Sequence, residues 1–411
     1  MTTETLRLQY SDKLRLIGRD ARLTILCWMG WAFAYGINDV VFNLYLLDAG
    51  FGEDFIGFFI SVSIFVGGAL ALFAGMVADR FSRKRILLLG NIAVLISFMI
   101  IYTTLTPAIL LFAQAINGFG FAFNGVSWQP YTTSVTTKEE RVHVFSMRFA
   151  FYLCANLIGS LVGGFLPPIF LSLGLAMNLL SAYQITLWIA LIPMIFGVLT
   201  IVPMAVDKPE NKNRIGIGNG RNTGFIGKYA LMWTVSGFGA GLFVHTYNLF
   251  FKLTFAVDSA TIGVMFAAST ILMAVGNFIS PIIVDRYGKF WTIVWCHLLS
   301  IPFLLLLAWS PILYIAFIGF VSRNLFMNVA WPVMEVFYME GLDKDEQSTA
   351  MGVITTGDSL VRGVALNVTG WLLAAGFLRV PFALASIFYF LSALLFYYFF
   401  RDENSERPAR E

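Results

Sequence analysis

The chain has 411 residues, of which 58% are hydrophobic and 12% charged, against about 45–50% and about 25% in an ordinary soluble protein. A soluble fold of this size has too little interior to hide that much apolar surface, so the excess must face lipid. A soluble enzyme, a nucleic-acid-binding protein and a disordered chain are thereby excluded, and the net charge of +3 fits a membrane protein with basic loops on one side. Cys27, Cys154 and Cys296 sit far apart in apolar stretches without metal-ligand spacing and read as small hydrophobic fillers.

Residues 1–22 carry charge throughout and lack the apolar centre of a signal peptide, so they are expected to remain as a cytoplasmic N-terminal segment. A hydrocarbon core about 30 Å thick takes about 20 apolar residues in a helix. That ruler predicts an all-α membrane protein with twelve transmembrane helices at 23–48, 53–78, 85–104, 108–134, 144–168, 181–204, 226–252, 260–283, 290–308, 311–338, 348–377 and 381–400. The apolar runs do not alternate as barrel strands do, and an open sheet would leave its backbone unsatisfied in lipid.

Of the 27 Lys and Arg residues, all but Lys252, Arg379, Arg323 and Arg362 fall in the two tails or in loops on the side the tails share. That bias places both termini in the cytoplasm. The longest polar interruption, with Pro209 and the glycines from Gly216 to Gly220, predicts a cytoplasmic linker at 205–225. It separates one six-helix bundle at 23–204 from another at 226–400, and 401–411 forms a cytoplasmic tail.

The halves echo each other. A shift of 206 residues carries Asp79-Arg80 onto Asp285-Arg286, Ile56-Gly57 onto Ile262-Gly263 and Glu140-Arg141 onto Glu346-Gln347. A shift of 205 carries Phe42-Asn43-Leu44-Tyr45 onto Tyr247-Asn248-Leu249-Phe250. Two parallel six-helix repeats are a transporter architecture, with the substrate site near the midplane between the halves.

The loop after the second span reads Gly75-Met76-Val77-Ala78-Asp79-Arg80-Phe81-Ser82-Arg83-Lys84-Arg85, and Asp285-Arg286-Tyr287-Gly288-Lys289 repeats it in degenerate form. It resembles the G-x-x-x-D-R-x-G-R-R/K loop of the major facilitator superfamily, with Ser82 in place of the usual glycine. With the twelve spans and the central linker, the resemblance covers essentially the whole chain. It implies the two-bundle fold of that family and a monomeric secondary transporter with no cofactor, working by alternating access. Physically, such a loop is a latch: Asp79 accepts hydrogen bonds from arginine and from N–H groups at a neighbouring helix start, with Gly75, Arg80, Arg83, Asp285 and Arg286 completing a cytoplasmic gate. The alternative is that the basic residues only set topology.

Two further patterns resemble those of the superfamily's drug–proton antiporters. The fourth span carries Gln114-Ala115-Ile116-Asn117-Gly118-Phe119-Gly120 with Gln114 where that pattern has arginine, and the fifth carries Gly159-Ser160-Leu161-Val162-Gly163-Gly164 with Ser160 where it has proline. Close helix packing by small residues is the other reading of both.

A charge at the bilayer centre costs at least about 2.5–3.5 kcal/mol, so each one needs a reason. Asp39 lies well inside the first span with Asn43 one turn on, and His245 falls on Asp39 under the 206-residue shift. Asp39 reads as a group that loads and releases a proton, alone or in relay with His245; the alternative is a carboxylate satisfied by its neighbours. Arg323, Asp358 and Arg362 suggest a charge cluster in the second half, open to an anionic substrate group or serving only to hold helices together. Gln114, Asn117, Asn124 and Trp128 in the fourth span, and Asn324, Asn328, Trp331 and Glu335 in the tenth, form polar stripes expected to point inward to a cavity, and Asn248 joins the candidate substrate or coupling residues by its match to Asn43.

The combined expectation is a secondary transporter in the cell membrane, moving a small organic, amphipathic or drug-like molecule, driven by the proton gradient, with export preferred. The alternatives are proton-coupled uptake of an anionic nutrient and a metal-ion exporter using Asp39 and His245. No Walker A sequence occurs, no catalytic constellation or metal-ligand set is apparent, and the expected partners are the small-molecule substrate and the lipid bilayer, not nucleic acid.

Overall fold

The computed structural model describes residues 17–207, 223–342 and 347–406, so most of the 205–225 linker, Lys344, Glu346 and the outer parts of both tails lie outside the described residues. Every regular element among the described residues is helical. The order is α1 (Arg19–Asp48), α2 (Glu53–Arg80), α3 (Arg83–Thr103), α4 (Pro107–Ser134), α5 (Lys138–Ser172) and α6 (Leu179–Ile201). There follow α7 (Thr223–Gly241), a 3-10 turn at Val244–Thr246, α8 (Tyr247–Phe255), α9 (Ser259–Trp309), α10 (Leu313–Glu340), α11 (Gln347–Ala374) and α12 (Val380–Glu406).

Nine of the described helices are long and apolar enough to cross a membrane: α1 to α6, α9, α10 and α12. One of them, α9, has 51 residues, about 75 Å at 1.5 Å per residue, which is enough for two crossings. It breaks at Gly288, whose φ of 75° and ψ of 162° fall in a region essentially reserved for glycine. The α7–α8 pair makes one crossing interrupted by the 3-10 turn, and α11 crosses with Asp358 and Arg362 in its middle. Twelve crossings result, as the hydropathy predicts. Phe278, Ile192 and Tyr398, each at least 65% exposed, belong to the apolar outer surface that lipid covers.

The chain forms two compact units, Met1–Phe42 with Leu70–Asn213 and Asn43–Ala69 with Arg214–Glu411. The tip of the α1–α2 hairpin, Asn43–Ala69, therefore packs within the second unit although it precedes the linker in sequence. Inside the first unit α1 meets α5 at backbone distance: a Cβ on Gly36 would collide with the carbonyl of Asn156, and Gly163 lies against Ile37. Inside the second, a Cβ on Gly241 of α7 would come within 2.9 Å of the Arg362 backbone of α11. Gly36 and Gly241 correspond under the 205-residue shift, as Asn156 and Arg362 do under 206, so each unit seats its first crossing on its fifth in the same way. The glycines of the fifth-span pattern thus serve close packing. Tyr229, Met232, Phe290, Val329 and Phe396 anchor the core of the second unit; Ala74, Ile86 and Phe123 do so in the first.

Ser82 and Gly288 are repeat mates with different backbones. Ser82 is the N-cap of α3 at φ −58° and ψ 124°, a conformation open to any residue. Replacing Gly288 with Ala should lower stability by about 1–3 kcal/mol, the cost of a side chain in that region, whereas Ser82→Gly should cost well under that. Thermal unfolding of both variants in detergent checks the contrast.

Candidate functional site

The first crossing of each half is buried along its middle and opens at one position. Between Cys27 and Leu47 every residue of α1 is buried or half-buried except Asp39, and between Met232 and Phe255 the same holds except for His245. These are the residues that the 206-residue shift superposes. A carboxylate exposed to acyl chains would carry the full cost of an unsolvated charge. His245 sits in the 3-10 turn that interrupts the seventh crossing, the kind of helix break that lines binding sites in transporters. Asp39 belongs to the first unit and His245 to the second.

One turn along from Asp39, Asn43 is 6% exposed and enters the second unit. Its Nδ2 donates to the His245 carbonyl at 2.8 Å and to Oδ1 of Asn248 at 2.8 Å. Asn248, 2% exposed, also accepts from the Leu249 N–H at 2.9 Å. Two repeat-related asparagines thus bond to one another, and the first also satisfies a carbonyl at the helix break, where the regular ladder ends. At the same tip, Asn367 of α11 donates to Ser61 of α2 at 2.6 Å, and Gly57 lies against Gly370.

Of the three charges of the expected cluster, two form an ion pair. Asp358 pairs with Arg362 through Oδ2 and Nε at 2.6 Å, one turn apart on α11. Arg323, 5% exposed, has no carboxylate partner among the described residues. Its Nη1 donates to Asn324 Oδ1 at 2.9 Å and Tyr247 Oη at 3.3 Å, and its Nη2 to Tyr389 Oη. The guanidinium carbon stands 4.5 Å from the Phe243 ring and 5.3 Å from that of Tyr389. Arg323 and Arg362 line a cavity of about 180 Å³ in the second unit, together with Trp233, Ser236, Asn328, Trp331 and Tyr389. Tyr247 and Tyr389 are site residues that the sequence reading missed, as is His297, 1% exposed, whose ring meets Tyr389 edge-on. A tyrosine within an apolar run carries no signal separating packing from function.

The polar stripe of α4 is largely used within its bundle. Asn117 donates to Ser97 at 2.9 Å, Asn91 donates to Asn124 at 2.8 Å, and Trp128 packs edge-on to Trp28. These side chains have partners on α3 and α1; Gln114 is buried at 8%. On α10, Asn324 donates to Ser269 at 2.9 Å and Asn328 to its own helix at 2.8 Å.

At the gate motif the Asp79 side chain lies outside the described residues. The N–H groups starting α3 are taken by Asp207 from beyond the end of α6: Ser82 Oγ donates to it at 2.8 Å, the Arg83 N–H at 3.1 Å and the Lys84 N–H at 3.0 Å. Arg80, Asp285 and Arg286 are exposed and Gly75 and Arg83 half-buried. Arg286 stacks on Tyr287, and the ion pair at the second loop joins Lys289 to Glu340.

Residues 24–251 and 229–411 match the family described as Major Facilitator Superfamily. No curated protein matches the chain in sequence. Among solved structures, the chain resembles a bacterial homologue of the human lysosomal transporter Spinster in an inward-facing, occupied conformation, with a TM-score of 0.76, 14% identity and coverage of 95% of this chain and 98% of that one. It also resembles the nucleoside transporter NupG (TM-score 0.72, 14% identity, 92% and 99% covered) and a D-xylose–proton symporter (TM-score 0.72, 12% identity, 92% and 97% covered). At these identities the likeness is one of fold.

Removing either amide of the Asn43–Asn248 pair strands a buried polar group, so Asn43→Ala and Asn248→Ala should each cost about 1–3 kcal/mol. The double variant should cost less than the two losses added together, with coupling of about 0.5 kcal/mol or more. Thermal unfolding of the four proteins measures the cycle; strict additivity would show that the pair does not form.

Proposed function

Because the chain belongs to the major facilitator superfamily, a multi-pass integral membrane transporter rather than an enzyme, we propose that it moves a small organic molecule by alternating access coupled to protons. Export in exchange for inward-moving protons is the preferred direction, from the cytoplasm across the cell membrane, with both termini cytoplasmic and a monomer as the working unit. No cofactor takes part; the driving force is the proton gradient.

The observation that supports this reading is the exposure of Asp39 alone between Cys27 and Leu47 of α1. In a stretch otherwise covered by protein, the one exposed side chain is an ionisable group, and its neutral, protonated form passes through an occluded state far more cheaply than its anion. A transporter that must take up a proton before it can turn over is thereby coupled to the gradient. His245, at the matching position of the second half, is the second titratable group proposed to act in the cycle.

Arg323 favours a second reading, proton-coupled uptake of an anionic nutrient, because a buried cation without a carboxylate is poised for a negative group brought by a ligand. The metal-exporter alternative finds no support in the residue set: no group of three or more His, Cys, Asp or Glu able to hold a metal occurs among the described residues.

In proteoliposomes with an imposed pH gradient, Asp39→Asn at normal abundance should lower gradient-driven transport about tenfold or more, within the range attributed to positioned acid–base groups. Substrate exchange at equal pH, which needs no net proton movement, should persist. Full gradient-driven transport by the variant would remove Asp39 from the coupling mechanism, and the direction in which an applied gradient moves substrate separates export from uptake.

A further inference from the structure

Arg323 is the least compensated charge in the second unit. A guanidinium carries five N–H donors. Nη1 serves Asn324 and Tyr247, Nη2 serves Tyr389, and every one of these partners is neutral. The buried Nε has no hydrogen-bond partner. The other guanidinium on the cavity wall, Arg362, shares the carboxylate of Asp358, so two cations stand against one anion.

Burying an arginine without a counter-ion costs several kcal/mol even after the protein relaxes. Neutral hydroxyls and ring faces recover part of that cost. The cavity that Arg323 lines holds about 180 Å³, room for about six waters at their liquid share of about 30 Å³ each. That is the size of one ring with its charged substituent. Part of its lining is aromatic: Trp233 and Trp331 stand edge to face with centroids 5.0 Å apart, and Asn328 adds a polar side chain to the wall.

We infer that this cavity is the binding site for a small organic monoanion, a carboxylate on a single-ring body, held by the surplus positive charge of Arg323 and Arg362 on the cavity wall while the ring lies against Trp233 and Trp331. The inference deepens the transporter reading by naming the substrate class, and it rests on that reading for its biological sense. Arginine suits the task better than lysine, because its planar fork stays charged and meets the two oxygens of a carboxylate together.

Equilibrium binding tests it without reference to direction or coupling. The purified full-length protein is titrated calorimetrically with benzoate, benzamide, benzylamine, cyclohexanecarboxylate and its amide. Both carboxylates should bind about tenfold or more tighter than their neutral amides, as a hydrogen bond to a buried charged group provides, and benzylamine should bind weakest. Arg323→Gln should bring benzoate down to the affinity of benzamide, and Trp331→Ala, at a partly exposed position, should weaken benzoate while leaving acid above amide. The acid–amide comparison on the unaltered protein needs no variant, so it decides the matter even where Arg323→Gln fails to fold. Equal affinity of acid and amide, preference for the amine, binding by neither carboxylate, or retained discrimination in a folded Arg323→Gln protein would each overturn the proposal. Gradient-driven transport of a neutral or cationic compound alongside any of these results would leave the transporter reading intact. Acid–amide discrimination without proton-driven transport would remove the coupling and keep the site.

Discussion

Inside a bilayer a polar group has no water to turn to, so each one must find a partner within the protein or reach a water-filled space. That constraint organises the whole chain. It makes every described element a helix, and it makes the few polar side chains within the crossings informative. Most are satisfied locally: Asn117 by Ser97, Asn124 by Asn91, Asn324 by Ser269 and by Arg323. Arg323, without a carboxylate among the described residues, is where the physics of folding alone leaves a debt, and with Asp39 and His245 at openings it is given a functional role.

Duplication sets where those exceptions fall. Gly36 of α1, set against α5, and Gly241 of α7, set against α11, seat the first crossing of each half in the same manner, and the same register brings Asp39 and His245 to corresponding points. The halves have since diverged. The seventh crossing is broken at His245 while α1 is continuous, and the turn that needs Gly288 in one half runs through Ser82 with an ordinary backbone in the other. Asn43 and Asn248 keep the common ancestry visible as a hydrogen bond.

Hydropathy and charge bias were enough to read the twelve crossings, because burying or exposing about 20 residues at a time leaves a strong signal. The repeat pointed to Asp39, Asn43, His245 and Asn248 together. What could not be read was direction around the helix axis: Asn117 and Asn124 have the spacing of a cavity stripe, yet the same spacing serves a seam with α3. Which arginine Asp358 joins was equally hidden, since an (i, i+4) pair on α11 competes with any contact from α10 and only coordinates show which prevails. Tyr247, Tyr389 and Asp207 left no trace, being common residue types whose partners lie tens of residues away.

The central claim is that Asp39 and His245 meet water while their neighbours meet protein. Single-cysteine scanning on a background lacking Cys27, Cys154 and Cys296 reads this directly, using a charged, membrane-impermeant thiosulfonate in native membranes opened to both sides. Cysteine at positions 39 and 245 should react rapidly, and cysteine at Val40, Val41, Thr246 and Tyr247 should stay protected. Protection at 39 and 245, or uniform reactivity along either helix, would contradict the account.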